Sequence, residues 1–420
     1  MAQRAHGEGD EVVVTGFGAV TPVGNDRETT WRNLVAGRSG VGPVTHFEPK
    51  GFPTRIAGEV RGFDPATVLE GKRLRRSARF TQFAVAAARE AIADAGLDLS
   101  AEDPARIGAV VNAAVAGFDT IEAATRSLVD EAFRRISPHF VSSSLTNMPA
   151  CEIAIDLNIR GPVSASSLAC ASGLYALVEA RRLIMSDEAD VVVCGGTDAA
   201  ITPVMFAGLA VMGAMSTRND DPAGASRPFD AMRDGFVFGE GAVVAVVERA
   251  EHARRRGKTP YARLAGGALT CDAFHVSAPR PDGSGPRAAI TAALSRSRVR
   301  PEQVDYICAH GTSTKANDRV ETAAIRDAFG ASADLIPVSS PKSMVGHLIG
   351  AAGALSAMVC ALAIRDGVVP PTINLEHPDP ECDLDYVPHR ARPVTVRTAV
   401  ANAFGFGGQN CVAVLTSPTP

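Results

Sequence analysis

The sequence predicts an α/β fold built on mainly buried sheets, and three observations lead to it. Short Val-rich runs alternate along the chain with longer patterns of helical period, the arrangement that places helices on both faces of a sheet. Glycine is abundant, with 39 residues, and aromatic residues make up only 5% of the chain, so elements pack closely through small side chains rather than around aromatic clusters. The third observation is a repeat. "VSASSLACASGLYALVEARRLIMSDE" and "VSSPKSMVGHLIGAAGALSAMVCALAIRDG" both start with VS, pass through a small-residue turn and run on as a long apolar helix, which implies an internal duplication with a boundary near residue 260.

Taken in order, "EVVVTGFGAVTPVG" reads as a buried strand entering a Gly/Pro turn, and "TTWRNLVAG" as a short helix closed by glycine. "RFTQFAVAAAREAIADAGLDL" has the period of a long amphipathic helix, and "RIGAVVNAAV" follows it as a strand. The segment from "GPVSASSLAC" to "VVVCGGTDA" is strand, tight turn, helix and strand, and "GFVFGEGAVVAVVERAEHARRRG" is a strand feeding a basic helix end. In the second half "VDYICAHGTST" is a strand ending in polar residues and "ETAAIRDAFG" a helix. "IPVSSPKSMVGHLIGAAGALSAMVCALAIRDGVVP" then repeats strand, turn, helix and strand.

A chain of 420 residues suffices for two domains or one large one, and either buries a substantial core. A formal charge of −4 argues against nucleic acid as the main partner. No apolar run reads as a membrane span, and the leader "MAQRAHGEGD" has neither the hydrophobic stretch nor the cleavage pattern of a signal peptide, so a cytoplasmic location is expected. The eight cysteines, at 151, 170, 194, 271, 308, 360, 382 and 411, include no CxxC pair. Neither a zinc site nor a disulfide framework is expected from them, and the default for each is an inert core thiol.

Cys170 departs from that default. It follows "GPVSAS" and opens the apolar run of Leu174, Leu177 and Val178, so its thiol stands at a helix start, where unpaired N–H groups and the helix dipole favour a thiolate. Ala169, Ala171, Ser172 and Gly173 leave room for a substrate. On this evidence the thiol reads equally as nucleophile or as small core residue. An acyl-transfer cysteine needs proton handling nearby, and two of the nine histidines qualify. His310 in "CAHGTST" and His347 in "KSMVGHLIG" each sit just past an apolar strand, with Lys342 five residues before the second. The alternative for each is a structural histidine and a solvated turn lysine. The glycines of "NAFGFGGQN" permit close backbone approach and could present an N–H to an oxyanion, while the stretch fails as a dinucleotide signature because it opens no helix in a βαβ unit.

With these residues in view the chain resembles the β-ketoacyl-ACP synthases, in particular the synthase II-like group. The resemblance runs from "VVVTGFGAVTPVG" through "STRNDDPAGASRPFDAMRDGFVFGEGA", "AHGTSTKANDRVETAAI" and "KSMVGHLIGAAGA" to "NAFGFGGQN". It implies a thiolase-like fold of two duplicated halves forming an αβαβα layered core, with the nucleophilic cysteine in 1–260 and both catalytic histidines in 261–420. It implies that Cys170 takes an acyl chain as a thioester, that His310 and His347 promote decarboxylation of a malonyl thioester, and that Lys342 holds the histidine region. Backbone N–H groups of Cys170 and Phe406 would form the oxyanion hole, and Phe406 would act as a gate on its flexible glycines. Thr312 and Thr314 would meet the phosphopantetheine arm, Val115 and the dimer partner's residue at the position of Phe140 would lie by the acyl chain, and Phe229 would be a further substrate-binding residue. Asp318 and Glu321 match an acidic pair behind the site that reads as structural. The implied partners are an acyl carrier protein and a second subunit, identical or a homologous chain-length-factor-like chain, with no metal or cofactor of the enzyme's own.

Several positions depart from the family pattern. A glutamate common nine residues beyond the second histidine is Ser356, the usual threonine of the glycine loop is Gln409, and Val115 stands where isoleucine is common. Lys315 and "TKANDRVETAA" look closer to ketosynthase subunits of aromatic or polyene type II polyketide systems than to housekeeping fatty-acid synthases, and type II polyketide synthesis, with polyenes as one product class, is the favoured reading. Fatty-acid elongation is the rival within the family. A non-catalytic chain-length-factor-like subunit is the rival of another class, opposed by Cys170 and both histidines. A thiolase would need a second catalytic cysteine, and Cys411 reads as core.

Overall fold

The computed structural model describes residues 11–130 and 133–418, so the N-terminal leader "MAQRAHGEGD" lies outside the described residues. The first half contributes five strands to the main sheet: β1 (Val12–Val20), β2 (Ile107–Asn112), β3 (Val163–Ser164), β4 (Val191–Asp198) and β5 (Gly241–Arg249). The second half contributes β6 (Ala262–Cys271), β7 (Tyr306–Cys308), β8 (Val338–Ser339), β9 (Thr398–Gly405) and β10 (Gln409–Thr416). The strand order is β3-β2-β4-β5-β1 in one half and β8-β7-β9-β10-β6 in the other, joined by antiparallel pairing of β1 with β6 at Val13–Arg263 and Val14–Ala262. In both halves the two outer pairs are parallel and the two inner pairs antiparallel. The duplication expected from the repeat is thus present in the strand topology.

Five helices set the layers: α1 (Arg79–Ala95), α2 (Ser172–Met185), α3 (Ser284–Ser297), α4 (Lys315–Phe329) and α5 (Ala352–Asp366). α1 packs on β1 and β5, and α3 on β6 and β10, forming the outer layers. α2 and α5 pack against each other and touch strands of both halves, forming the central layer. β1 and β4 are buried at every position, as a sheet covered on both faces requires.

The reading that no run suffices for a membrane span needs correction. Ile349–Asp366, which includes α5, is long and apolar enough to cross one by length and composition. It is 83% buried, because its alanines and glycines let it lie between the two half-sheets. The central helices are also where the halves meet, so the turns that open them bring residues from distant segments together.

Candidate active site

The turns before α2 and α5 match. Ala169 has left-handed backbone at φ 46°, followed by the turn Ala169–Ala171 and α2, while Ile349 has φ 49°, followed by Ile349–Ala351 and α5. A left-handed conformation on a residue with a Cβ costs about 1–3 kcal/mol and survives only where surrounding structure enforces it. At the first turn Ser172 enforces it: its Oγ accepts from Leu168 N at 2.9 Å and donates to Ala169 O at 2.7 Å. Asn112 at the end of β2 adds a donated bond to Ser172 O at 2.8 Å and accepts one from Ser166 N at 2.7 Å. Cys170 is thereby held at the tip, with its thiol at the floor of a cavity of about 590 Å³.

Cys170, His310 and His347 converge, each offering a ligand-type atom within 4.8 Å of the others. The two imidazole rings are 5.4 Å apart at 80°, and Phe236 and Phe404 pack edgewise or tilted against them at 5.7 Å each. His310 is 3% and His347 4% exposed, so neither is a solvated surface residue. Burial, reinforced by the Lys342 charge, holds both imidazoles well below the usual histidine range, so both are neutral. His347 Nδ1 accepts from Ile349 N at 3.1 Å, which leaves the ring proton on Nε2 as a donor. His310 Nδ1 is buried without a hydrogen-bond partner among the described residues.

Burial pushes the Cys170 thiol up to about 11, opposed by the Lys342 charge and by the N–H groups of Phe406 and Cys170 itself. Both N–H groups favour charge on the sulfur, as donors to an oxygen on a carbon bonded to that sulfur would. Lys342 is 2% exposed, and burial lowers its own pKa against the opposing pull of Cys308, Glu321, Cys170 and Asp318. The cysteine and histidines have the donor types of a metal site, but the lysine's charge beside them works against a cation.

The histidine loop is held from behind. Glu321 accepts from His310 N and Gly311 N, each at 2.7 Å, and from Asn402 Nδ2 at 3.0 Å. Asp318 accepts from Thr312 N at 3.0 Å and Phe229 N at 2.9 Å, with Arg233 at 3.4 Å. Thr312 and Thr314 line the cavity with their hydroxyls 2.9 Å apart, and Lys315 and Asn317 continue that polar wall. Val115, Met205, Leu209, Phe236, Phe238 and Ile349 form an apolar part of the same cavity. Phe406 is 41% exposed at its edge, between Gly405 and the left-handed Gly407 and Gly408.

One expectation about substrate binding is altered. Phe229 does not line the cavity: its fully buried ring stacks on Tyr386 at 3.8 Å and 11° beneath the loop that carries His310, and the phenylalanines that line the cavity are Phe236, Phe238, Phe404 and Phe406. Phe140 opens the short helix Phe140–Ser144 and is not among the residues lining its own chain's cavity. Ser356 is buried in α5 and donates to Ala352 O at 3.2 Å, so no carboxylate stands there. Gln409 begins β10 opposite Gly405 and Cys271.

Sequence reasoning passed over Asp198, the last residue of β4. Its carboxylate, 1% exposed, accepts from Ala114 N at 3.1 Å, Val115 N at 3.0 Å and Gly350 N at 2.7 Å. Burial raises it to about 6 despite these donors. The available signal was an acid in "GGTDA" at the carboxyl end of a buried strand, where α/β sheets place their sites.

A doubled α/β core with a buried cysteine, two neutral histidines and paired N–H groups at one cavity defines a thiolase-like acyl-transfer enzyme. The β-ketoacyl synthase N-terminal domain matches residues 9–253, and the β-ketoacyl synthase C-terminal domain matches residues 261–376. The chain is 47% identical over 403 residues to 3-oxoacyl-[acyl-carrier-protein] synthase 2 of Synechocystis sp., covering 96% of this chain and 97% of that one. It is 45% identical over 405 residues to the enzyme of the same name from Coxiella burnetii, covering 96% and 98%. Among solved structures, the ishigamide ketosynthase/chain length factor superposes with a TM-score of 0.92 at 36% identity, covering 97% of this chain and 99% of that one. A type II PKS acyl-carrier protein in complex with its ketosynthase bound to the hexaketide gives a TM-score of 0.90 at 34% identity, covering 97% and 99%. The chain belongs to the β-ketoacyl synthase family. It is an acyltransferase with the condensing activity of a β-ketoacyl-ACP synthase.

Proposed function

We propose that Cys170 is the nucleophile of a decarboxylative Claisen condensation, with His310 and His347 acting on the malonyl thioester. The convergence of one thiol and two neutral imidazoles at the floor of a single cavity carries this reading. In the first half-reaction Cys170 Sγ bonds to the acyl carbon of a carrier thioester, the carrier sulfur leaves, and the thiol proton goes to it. The N–H groups of Cys170 and Phe406 hold the oxyanion. In the second, the malonyl carboxylate leaves as carbon dioxide and its electron pair forms an enolate, whose oxygen receives hydrogen bonds from the histidines. Neutral donors suit this step, because no proton has to be lost before the charge develops. The enolate carbon then bonds to the acyl carbon, the Cys170 thioester breaks, and the thiolate regains a proton from solvent. The product is a β-ketoacyl thioester two carbons longer.

Thr312 and Thr314 receive the phosphopantetheine arm, Lys342 stabilises thiolate and enolate through its charge, and Phe406 gates the cavity on Gly407 and Gly408. Asp318 and Glu321 are positioning residues of the His310 loop. An acyl carrier protein delivers both substrates, and the active unit is a dimer with an identical or chain-length-factor-like subunit, whose residue at the position of Phe140 closes the acyl end. The two halves divide near residue 260, a reading supported by the interval between the matched domains.

The pathway we favour is type II polyketide synthesis. Support comes from Val115 and the run that begins at Lys315, and from the likeness to the two polyketide ketosynthases. The 45–47% identity to the curated synthases favours the second reading, fatty-acid elongation. Turnover with saturated and polyunsaturated acyl-carrier thioesters, with and without a chain-length-factor subunit, separates them: preference for saturated chains by the homodimer would establish fatty-acid elongation. For the chemistry, Cys170→Ala should fold and lose the acyl adduct in intact-mass measurement, and an adduct on another cysteine would overturn the assignment.

A further inference from the structure

We infer that Asp198 is a positioning residue for His347, acting through the Gly350–Ile349 turn. The inference rests on the assignment of His347 as a hydrogen-bond donor to the enolate. Asp198 closes β4 in the first half, whereas His347 belongs to the second, and the only backbone between Asp198's partner Gly350 and His347 is Leu348 and Ile349. The Gly350 N–H donates to Asp198 Oδ2 at 2.7 Å, and the Ile349 N–H donates to His347 Nδ1 at 3.1 Å. Ile349 reaches this geometry only with its left-handed φ of 49°, a strained state that a buried carboxylate on the next N–H can enforce. With Nδ1 occupied as an acceptor, the proton of His347 is confined to Nε2.

Gly350 fits this carboxylate closely. A Cβ there would meet Asp198 Oδ2 at 2.5 Å and Ala114 N at 2.9 Å. The other Asp198 oxygen holds Val115 N at 3.0 Å, and Val115 is followed by Ala116 with φ 66°. One side chain therefore holds N–H groups of two strained turns. An asparagine would keep its one oxygen on the Gly350 side, where two N–H groups need it, so alanine, which removes both acceptors, is the variant that releases the Gly350 turn.

The experiment measures two half-reactions separately in purified full-length enzyme: acyl transfer to Cys170 from an acyl-carrier thioester, and carbon dioxide release from malonyl-carrier thioester. Asp198→Ala should slow carbon dioxide release at least about 20-fold while changing acyl transfer less than about 3-fold, because only the second step uses the Nε2 donor. Gly350→Ala, which wedges the turn from the opposite side, should give the same split. In ¹⁵N spectra of histidine-labelled protein, His347 should lose its single Nε2–H tautomer in both variants. Equal loss of the two half-reactions in both variants, or unchanged carbon dioxide release in Asp198→Ala, overturns the inference. Failure of the wild-type enzyme to release carbon dioxide would instead overturn the condensing role of the histidines.

Discussion

Gly405 offers a test in which sterics alone are changed. Its backbone is ordinary extended chain at φ −105°, so an alanine there meets no conformational penalty. The added Cβ, however, would lie 2.7 Å from Leu168 O, 3.2 Å from Cys170 N and 3.3 Å from Ala169 Cβ. Ordinary contact begins near 3.4 Å, so the end of β9 and the cysteine turn must separate by about 0.7 Å. Neither side yields easily, since the two nearest of these three atoms are backbone and the turn is pinned by Ser172 and Asn112. Phe406 N–H, the next donor along the chain, moves with the strand away from Sγ. A displacement approaching 1 Å at reacting atoms costs up to about 100-fold in rate, and overpacking costs about 1–3 kcal/mol of stability. Gly405→Ala should therefore slow acyl transfer to Cys170 by about 10- to 100-fold in rapid-quench mass spectrometry, with a cooperative thermal transition retained. Acyl transfer at the wild-type rate would refute the claim that this contact sets the oxyanion donor.

Two further expectations concern pH. Alkylation of Cys170 by iodoacetamide should rise with a midpoint near 11, whereas the exposed Cys271 should label first at neutral pH, and peptide mass spectrometry distinguishes them; complete Cys170 labelling near neutral pH would contradict the burial argument. His347 is held below its unfolded value of about 6.5, so as pH falls through 6.5 the unfolded chain binds a proton that the folded chain refuses, and stability is lost. His347→Gln should reduce the slope of acid destabilisation by about 1.4 kcal/mol per pH unit below that point, measured by urea unfolding at several pH values. An unchanged slope would mean that the imidazole accepts its proton in the folded state.

The parts of this molecule legible in its sequence are those where local pattern and tertiary role agree. The Val runs of β1, β4 and β5, the amphipathic α1 and the small-residue helices α2 and α5 all say the same thing locally that packing demands. Cys170 was visible as a candidate because a helix start and small neighbours are local features. What assembles the site is not local: His310 and His347 reach Cys170 only because the duplicated halves share a central layer. The helices Phe118–Val129 and Met148–Leu157 went unread, and their surface shows why, since Leu128, Val129 and Ile155 are exposed and blur the apolar stripe. Asp198 was missed because its partners are backbone N–H groups of two other segments, which no residue pattern encodes. Phe229 was misplaced because an aromatic residue near a glycine-rich motif carries no sign of which side of the loop its ring will take.

The matched turns before α2 and α5 bear on how many reactions one chain can run. Each half builds the same raised seat at the head of its central helix, yet Cys170 fills one seat and Gly350 the other. The second seat is plugged by an oxygen of Asp198 from the first half, leaving no volume for even a methyl group. The duplicated scaffold therefore yields a single reaction centre per chain, and the vacated seat survives as its foundation: one copy of the ancestral turn does chemistry and the other has become masonry.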